Sequence, residues 1–354
     1  MINLEERISQ IEEEIRKTPY HKGTEHHIGL LKARLAKLRS QLAEVKTKKG
    51  GRVGFAVSKV GDATCILVGL PSVGKSTLLA KLTNAKPKIA AYPFTTLSVI
   101  PGILKFKGAS IQILDVPGLV GGAAIGIGRG REVLSVARVS DLLIIVAESD
   151  DFEQQKKQVL TELEENGIRI GKTSPKITVK KLGSGGIKAI AGPDCDLAKN
   201  QIVSIAKELG LVNAEIQIKE KITQEDLIDA LLANRVYLPA IFVASKIDLA
   251  KFKKDSQVLP VCAPKNWGIE DLKEKIWQKL GLTRVYLKPE DSQPDFQNPL
   301  ILKYGSKVFE AAEKISTELA QNLKSAQIIR NNFKKQVSPN FQLQEGDILT
   351  FLTR

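Results

Sequence analysis

The stretch ATCILVGLPSVGKST, residues 63–77, decides the fold class. Its first residues form a short apolar run of the kind found in strands buried on both faces, and a helix pattern opens near Lys75. Between them Gly69, Leu70, Pro71, Ser72, Val73, Gly74, Lys75 and Ser76, with Thr77 next, match a phosphate-binding loop. Glycines let successive backbone amides curve round an anion, and the helix N-terminus adds the positive end of its dipole. Lys75 is expected to bridge the β- and γ-phosphates and Ser76 to ligate Mg²⁺. A plain tight turn would use the same glycines, but not between a strand and a helix.

Outward from this loop, IQILD (111–115), LLIIVA (142–147) and AIFVA (240–244) are further apolar runs separated by helical or loop segments. That alternation predicts an α/β domain with a doubly wound, mainly parallel sheet. Asp115-Val116-Pro117-Gly118 ends one strand. A carboxylate there suits Mg²⁺ through a water, and the Gly118 amide can approach a γ-phosphate during catalysis. Ser245-Lys246-Ile247-Asp248 closes another strand and matches Asn-Lys-x-Asp except at its first position. Asp248 can accept two hydrogen bonds from the imino and amino edge of guanine, a donor pair that adenine lacks. Ser245 in place of Asn predicts weaker hold on the base without a change of base. Cys262-Ala263 stands where a backbone amide can meet the guanine carbonyl. A solvated loop pair is the plainer reading of Lys246 and Asp248. Together these residues point to GTP and GDP as ligands.

The chain has 354 residues, too many for one ordinary core, and 43% of them are hydrophobic. No apolar run approaches the roughly 20 residues needed to span a bilayer. The opening MINLEERISQIEEEI is acidic and amphipathic, unlike a signal peptide. Cys65, Cys195 and Cys262 lie far apart. A cytoplasmic protein without membrane attachment is expected. The net charge of +14 is uneven: between Arg16 and Lys59 twelve Lys and Arg stand against only Glu25 and Glu44. Such a block means either a solvated helix face or a polyanion contact.

Leu4, Ile8, Ile11 and Ile15 recur on one helical face, and Thr18-Pro19 ends that helix. A second helix from about Thr24 carries Ile28, Leu31, Leu35, Leu38 and Leu42, completing a hairpin. His21, His26 and His27 sit within it without a completing Cys or carboxylate set, so a polar interhelical or RNA-facing role is favoured over zinc. From about 167 to 239 the pattern changes to an inserted α/β module. There ITVKKL and GIKAI suggest a strand pair around Gly183–Gly186, with helices near 196–209 and 224–233. Arg169, Lys172, Lys176, Lys180, Lys181 and Lys188 form a second basic cluster.

TPYHKGTEHHIGLLKARLAKLRSQL, GLPSVGKSTLL, AAYPFTTLSVIPGILKFKGASIQILDVPGL and GRGREVLSVAR together resemble the developmentally regulated GTP-binding (Drg) family of the Obg group. The resemblance covers essentially the whole chain. It implies a helical hairpin over 1–48, a P-loop GTPase domain over 49–283 that holds the inserted module, and a C-terminal β-grasp (TGS) domain over 284–354. It also implies that Tyr92–Thr96 is the first switch. Thr96 would complete the Mg²⁺ shell and act in catalysis, with Thr95 beside the nucleotide. Gly118 to Arg131 would be the second switch. Ras-like proteins place a glutamine after Gly118, where this chain has Leu119, so a slow intrinsic rate is expected. Some relatives bind K⁺ beside an Asn at the position of Ser72, which leaves a K⁺ requirement open.

By this likeness the protein is expected to be a slow GTPase switch acting on the ribosome or on ribosomal or transfer RNA, in translation or ribosome maturation, with a regulatory protein partner possible in principle. An RNA-binding scaffold that holds nucleotide without much hydrolysis is the alternative, and an ATP-dependent relative is a third.

Overall fold

The computed structural model describes residues 4–45, 61–83, 90–91, 98–116, 136–232, 235–249, 257–289 and 292–353. These residues fall into two compact units. One comprises 4–45 and 163–237; the other takes the described parts of 61–116, 136–162 and 238–353. The switch residues Thr95, Thr96, Gly118 and Leu119 lie outside the described residues.

The chain opens with α1 (Leu4–Lys17) and α2 (Glu25–Val45). Thr18 closes α1 by donating both its amide and its hydroxyl to the Glu14 carbonyl, just before the helix-stopping Pro19. His27 Nε2 lies 3.1 Å from Glu14 Oε1, a polar contact between the two helices. Among the described residues no cluster of His, Cys, Asp or Glu is placed to hold a metal.

The large sheet and its helices begin with β1 (Ala63–Val68), α3 (Lys75–Thr83), β2 (Ala90–Ala91), β3 (Ser98–Phe106), β4 (Ala109–Asp115), β5 (Leu142–Glu148) and α4 (Phe152–Glu165). The chain then leaves the sheet through β6 (Ile168–Ile170), β7 (Ile177–Lys181), β8 (Ile187–Ala191), α5 (Lys199–Glu208), β9 (Ala214–Ile218), α6 (Gln224–Leu232) and β10 (Val236–Leu238). It returns as β11 (Ala240–Ser245), β12 (Val258–Pro260) and α7 (Ile269–Leu280). The large sheet runs β12-β11-β5-β1-β4-β3-β2, parallel from β12 to β4 and antiparallel at β3 and β2. Every residue of β1 is buried, as a central strand covered on both faces requires.

In the inserted module β7 and β8 do not pair with each other. β9 lies between them, antiparallel to β7 and parallel to β8. The expected strand pair fails because α5 carries the chain from β8 back to a central position. There Ala214, Ile216 and Ile218 of β9 can all be buried. α2 lies on this module, with Ala33 inside the cluster formed by Ile202, Ile205, Ile216, Leu227 and Ile228. At Gly29 a Cβ would fall 2.4 Å from the end of the Gln224 side chain, which would have to swing aside to admit it.

Four basic residues of α2 are engaged within this unit. Lys32 Nζ bonds Glu225 at 2.6 Å, Arg34 bonds Glu208 at 2.8 Å, and Arg39 reaches Glu12 and Glu165 at 2.8 and 3.3 Å. Lys37 donates to the Glu208 carbonyl at 2.8 Å. Arg169, read in the sequence as part of the module's basic cluster, is instead paired, with Arg235, to the buried Asp229.

The C-terminal portion is a five-stranded sheet packed on one side by a helix. It comprises β13 (Leu282–Leu287), β14 (Asp295–Lys303), α8 (Val308–Ile315), α9 (Thr317–Asn322), β15 (Leu323–Arg330), β16 (Phe333–Val337) and β17 (Ile348–Thr353). The order is β14-β13-β17-β15-β16. Arg330 forks onto both carboxylate oxygens of the buried Asp347 at 2.7 Å each, tying β15 to the turn before β17.

Candidate functional site

The loops singled out in the sequence gather at one edge of the large sheet, beyond the carboxyl ends of β1, β4, β11 and β12, where parallel α/β sheets bind ligands. The turn after β1 must pass close under β5. A Cβ at Gly69 would stand 2.2 Å from the Val146 carbonyl oxygen, so glycine is required there. Ser72 and Gly74 both adopt left-handed backbone, φ 65° and 93°, which folds the loop back on itself before α3. Leu78, Leu79 and Leu82 bury the inner face of α3 and fix its N-terminus beneath the loop.

Lys75 Nζ donates to the carbonyls of Gly69 and Leu70 at 2.9 and 2.7 Å. Burial lowers its pKa, and the charge of Asp115 opposes that shift. Ser76 Oγ donates to Asp115 Oδ2 at 2.6 Å. The other carboxylate oxygen, Asp115 Oδ1, is buried without a hydrogen-bond partner. A buried anionic oxygen of that kind costs free energy unless something cationic or protic meets it. Hard oxygen donors from Ser76 and Asp115 suit a small divalent cation.

Beside the loop is a cavity of about 260 Å³ lined by Val73, Gly74, Thr77, Ser245, Lys246, Asp248 and Ala263, among others. Ser245 is buried, and its hydroxyl lies 2.8 Å from the Val73 carbonyl and 3.2 Å from that of Ala147. It thus links the phosphate loop to β5 and β11. Lys246 has left-handed backbone, φ 57°, and its ammonium pairs with Glu148. Asp248 lies 3.2 Å from Lys265 Nζ. A hydrogen bond from the Cys262 side chain, with a smaller contribution from Lys265, holds the Asp248 carboxyl below its ordinary range. The Cys262 amide donates to the Trp267 carbonyl at 3.0 Å. Of the Cys262-Ala263 pair it is therefore Ala263 that lines the cavity, while Cys262 acts on Asp248 through its thiol. Glu148, Lys265 and Trp267 carry no motif of their own, so these contacts have no signal in the sequence.

Three family models match consecutive parts of the chain: a "50S ribosome-binding GTPase" over residues 64–179, the C-terminal region of that domain over 184–282, and a TGS domain over 283–353. Developmentally-regulated GTP-binding protein 1 of Xenopus laevis is 43% identical, covering 90% of this chain and 88% of its own length. The chain belongs to the Drg family of GTP-binding proteins. Human developmentally-regulated GTP-binding protein 2 is 40% identical over 91% of this chain and 90% of its own. An uncharacterised GTP-binding protein of Methanocaldococcus jannaschii is 43% identical across the whole chain and 94% of its own. As a Drg-family member the chain is a P-loop GTPase-fold protein that binds guanine nucleotide, and the cavity beside Gly74 and Asp248 is where its motifs converge. Among the described residues no helix is long and apolar enough to cross a membrane.

Proposed function

We propose that this protein is a cytoplasmic switch that hydrolyses GTP slowly and acts on the ribosome or its RNA. The observation that carries the hydrolytic part is the pairing of Ser76 with Asp115, which leaves one carboxylate oxygen unpartnered at the foot of the phosphate loop. Ser76 and Asp115, joined by Thr96, would hold Mg²⁺, which when bound supplies positive charge to the phosphates. Lys75 would exchange its two loop carbonyls for phosphate oxygens, whose negative charge favours the ammonium form that burial disfavours. Asp248 would orient the guanine edge, held ionised by Cys262 and Lys265. The Gly118 amide would meet the γ-phosphate, and Leu119 offers no side-chain group to orient an attacking water, which accounts for a slow rate. The description of the matching family model, a ribosome-binding GTPase, supports the ribosomal part of this reading.

The test is steady-state GTP hydrolysis with Mg²⁺, with and without added ribosomes, repeated with K⁺ replaced by Na⁺. Clear stimulation by ribosomes is expected. Turnover that stays slow and unchanged would overturn the coupled switch in favour of a nucleotide-holding scaffold.

A further inference from the structure

We infer that the open face of the β7-β9-β8 sheet, with the glycine turn at its end, is a contact surface for the phosphate backbone of RNA. This inference rests on the ribosomal reading above and assigns it a place. The inner face of the sheet is closed: Ile177, Val179, Ile187, Ala189, Ile216 and Ile218 all pack into the cluster with the module's helices. Alternation along the strands puts Thr178, Lys180, Lys188 and Ile190 on the opposite, exposed face. Lys180 and Lys188 stand on either side of Glu215 in register, so one carboxylate faces two ammonium groups. Lys181 follows at the strand end, and Lys172 lies in the exposed segment before β7.

The four basic residues of α2 from Lys32 to Arg39 differ from these lysines, as does Lys176 of the module, which lies 3.9 Å from Glu220. Lys32, Arg34, Lys37 and Arg39 bond partners within their own unit, as do Arg169 and Arg235. Among the described residues Lys172, Lys180, Lys181 and Lys188 make no ion pair, and no acidic residue occurs from 168 to 190. Solvated charge at Lys180 and Lys188 on the open face, with Lys181 at the strand end and Lys172 before it, is the footprint of a polyanion.

The turn Gly183-Ser184-Gly185-Gly186 adds a feature that an acidic protein would not need. Asn213 pins it, donating to the Gly183 carbonyl at 3.2 Å and accepting from the Gly186 amide at 2.8 Å. A Cβ at Gly183 would meet nothing within 4 Å, and its φ is not in the left-handed region. Neither packing nor conformation therefore asks for glycine at 183. Bare backbone flanked by lysines lets a sugar–phosphate strand come closer than side chains would permit, as glycine loops do in other RNA-binding modules.

The experiment uses the full chain, loaded with GDP, and a fluorescein-labelled single-stranded RNA of mixed sequence, read by anisotropy over a series of KCl concentrations. The triple variant Lys180→Glu/Lys181→Glu/Lys188→Glu should lose about tenfold or more in affinity. Its log–log salt slope should fall by about 2, near 0.7 for each phosphate contact removed. Gly183→Val, which keeps every charge, should weaken binding with the slope unchanged. GDP affinity, read in parallel, should be unaltered in both. If the triple variant binds RNA like the parent, the surface is misassigned while the ribosomal reading stands. Ribosome-stimulated hydrolysis without RNA binding by the parent would also overturn this surface alone. Displacement of RNA by polyglutamate at equal charge concentration would replace the inference with an acidic protein partner. Absence of both RNA binding and ribosome stimulation would remove the surface and the ribosomal reading together.

Discussion

The hydroxyl of Ser245 lies 2.8 Å from the carbonyl oxygen of Val73, joining the guanine-side loop to the phosphate loop through one buried hydrogen bond. The same oxygen is 3.2 Å from the Ala147 carbonyl, and the Ser149 amide donates to the Ser245 carbonyl at 3.0 Å. A residue that differs from the usual Asn thus serves as a strut between strands and loop. Ser245→Ala would leave the Val73 carbonyl without this donor, at a cost of about 1–2 kcal/mol. GDP and GTP affinities should fall together by roughly five- to thirtyfold, measured by fluorescent-nucleotide titration. Preference for GTP over ATP should not change, because Asp248 is untouched.

Cys262 is not among the residues that line the cavity, whereas Asp248 and Ala263 are. The Cys262 side-chain hydrogen bond is the largest influence lowering the Asp248 pKa, and Lys265 adds to it. A depressed carboxyl pKa keeps the guanine-accepting anion present as pH falls through the range where a free Asp, pKa about 3.9, takes up its proton. Guanine-nucleotide affinity should therefore stay level on acidification until the pH is below that range. Cys262→Ala should move the loss to higher pH, and Cys262→Ser should keep it near the parent's. Titrations of labelled GDP across acidic pH distinguish these; an unmoved profile in Cys262→Ala would rule out the thiol's role.

Ser76→Ala and Asp115→Asn address the cation. With either change the affinity for GDP measured with Mg²⁺ should approach that measured with EDTA. The parent should show a clear difference between the two conditions. Lys75→Ala should weaken both, since its ammonium acts on phosphate directly. On the alkaline side the parent's affinity should begin to fall below the pH at which an ordinary lysine titrates, because burial lowers the Lys75 pKa.

The large sheet was legible because parallel strands buried on both faces read as unbroken apolar runs, as in 63–68 and 142–147. β3 was less so: its nine residues carry Pro101 and Gly102 and mix buried with exposed positions, as fits an antiparallel strand toward the sheet edge. β9 alternates over only five residues, too short to outweigh the turn signals around it. The charge block could be counted in sequence but not interpreted, since Arg34 and Glu208 meet across 174 positions and Lys32 and Glu225 across 193. In the site the motif residues themselves were readable; their partners, such as Val73 for Ser245 and Trp267 for the Cys262 amide, depend on how loops cross in space.

Arg34 and Glu208 give the hairpin a pH-sensitive hold on α5. The hydrogen bond from Arg34 lowers the Glu208 pKa, so its stabilisation is present above the ordinary Glu pKa and is lost as pH falls through the lowered value. With Arg34 about half exposed, solvent screening limits the pair to about 0.5–1 kcal/mol. Arg34→Ala should lower protection of α5 amides in hydrogen exchange at neutral pH by a few-fold, and the difference from the parent should disappear in acid.

Asp229 makes the strongest demand on its unit. Its side chain is 6% exposed and binds Arg169 through two nitrogens and Arg235 through a third, with those side chains 15% and 12% exposed. Two largely enclosed guanidiniums share one carboxylate, so removing it takes their common partner from both. Loss of one partner in a buried ion pair costs about 3–5 kcal/mol, enough to threaten a unit whose total stability is of similar order. Asp229→Ala should therefore expose the amides of β9 and α6 to exchange and open residues 163–237 to proteolysis. The cavity lined by Gly74 and Asp248 belongs to the other unit, so GDP affinity should stay within about twofold of the parent's if each unit folds by itself. Equal protection of β9 in the variant and the parent would show that the two arginines find solvent instead. Concurrent loss of GDP binding would show that the two units do not fold independently.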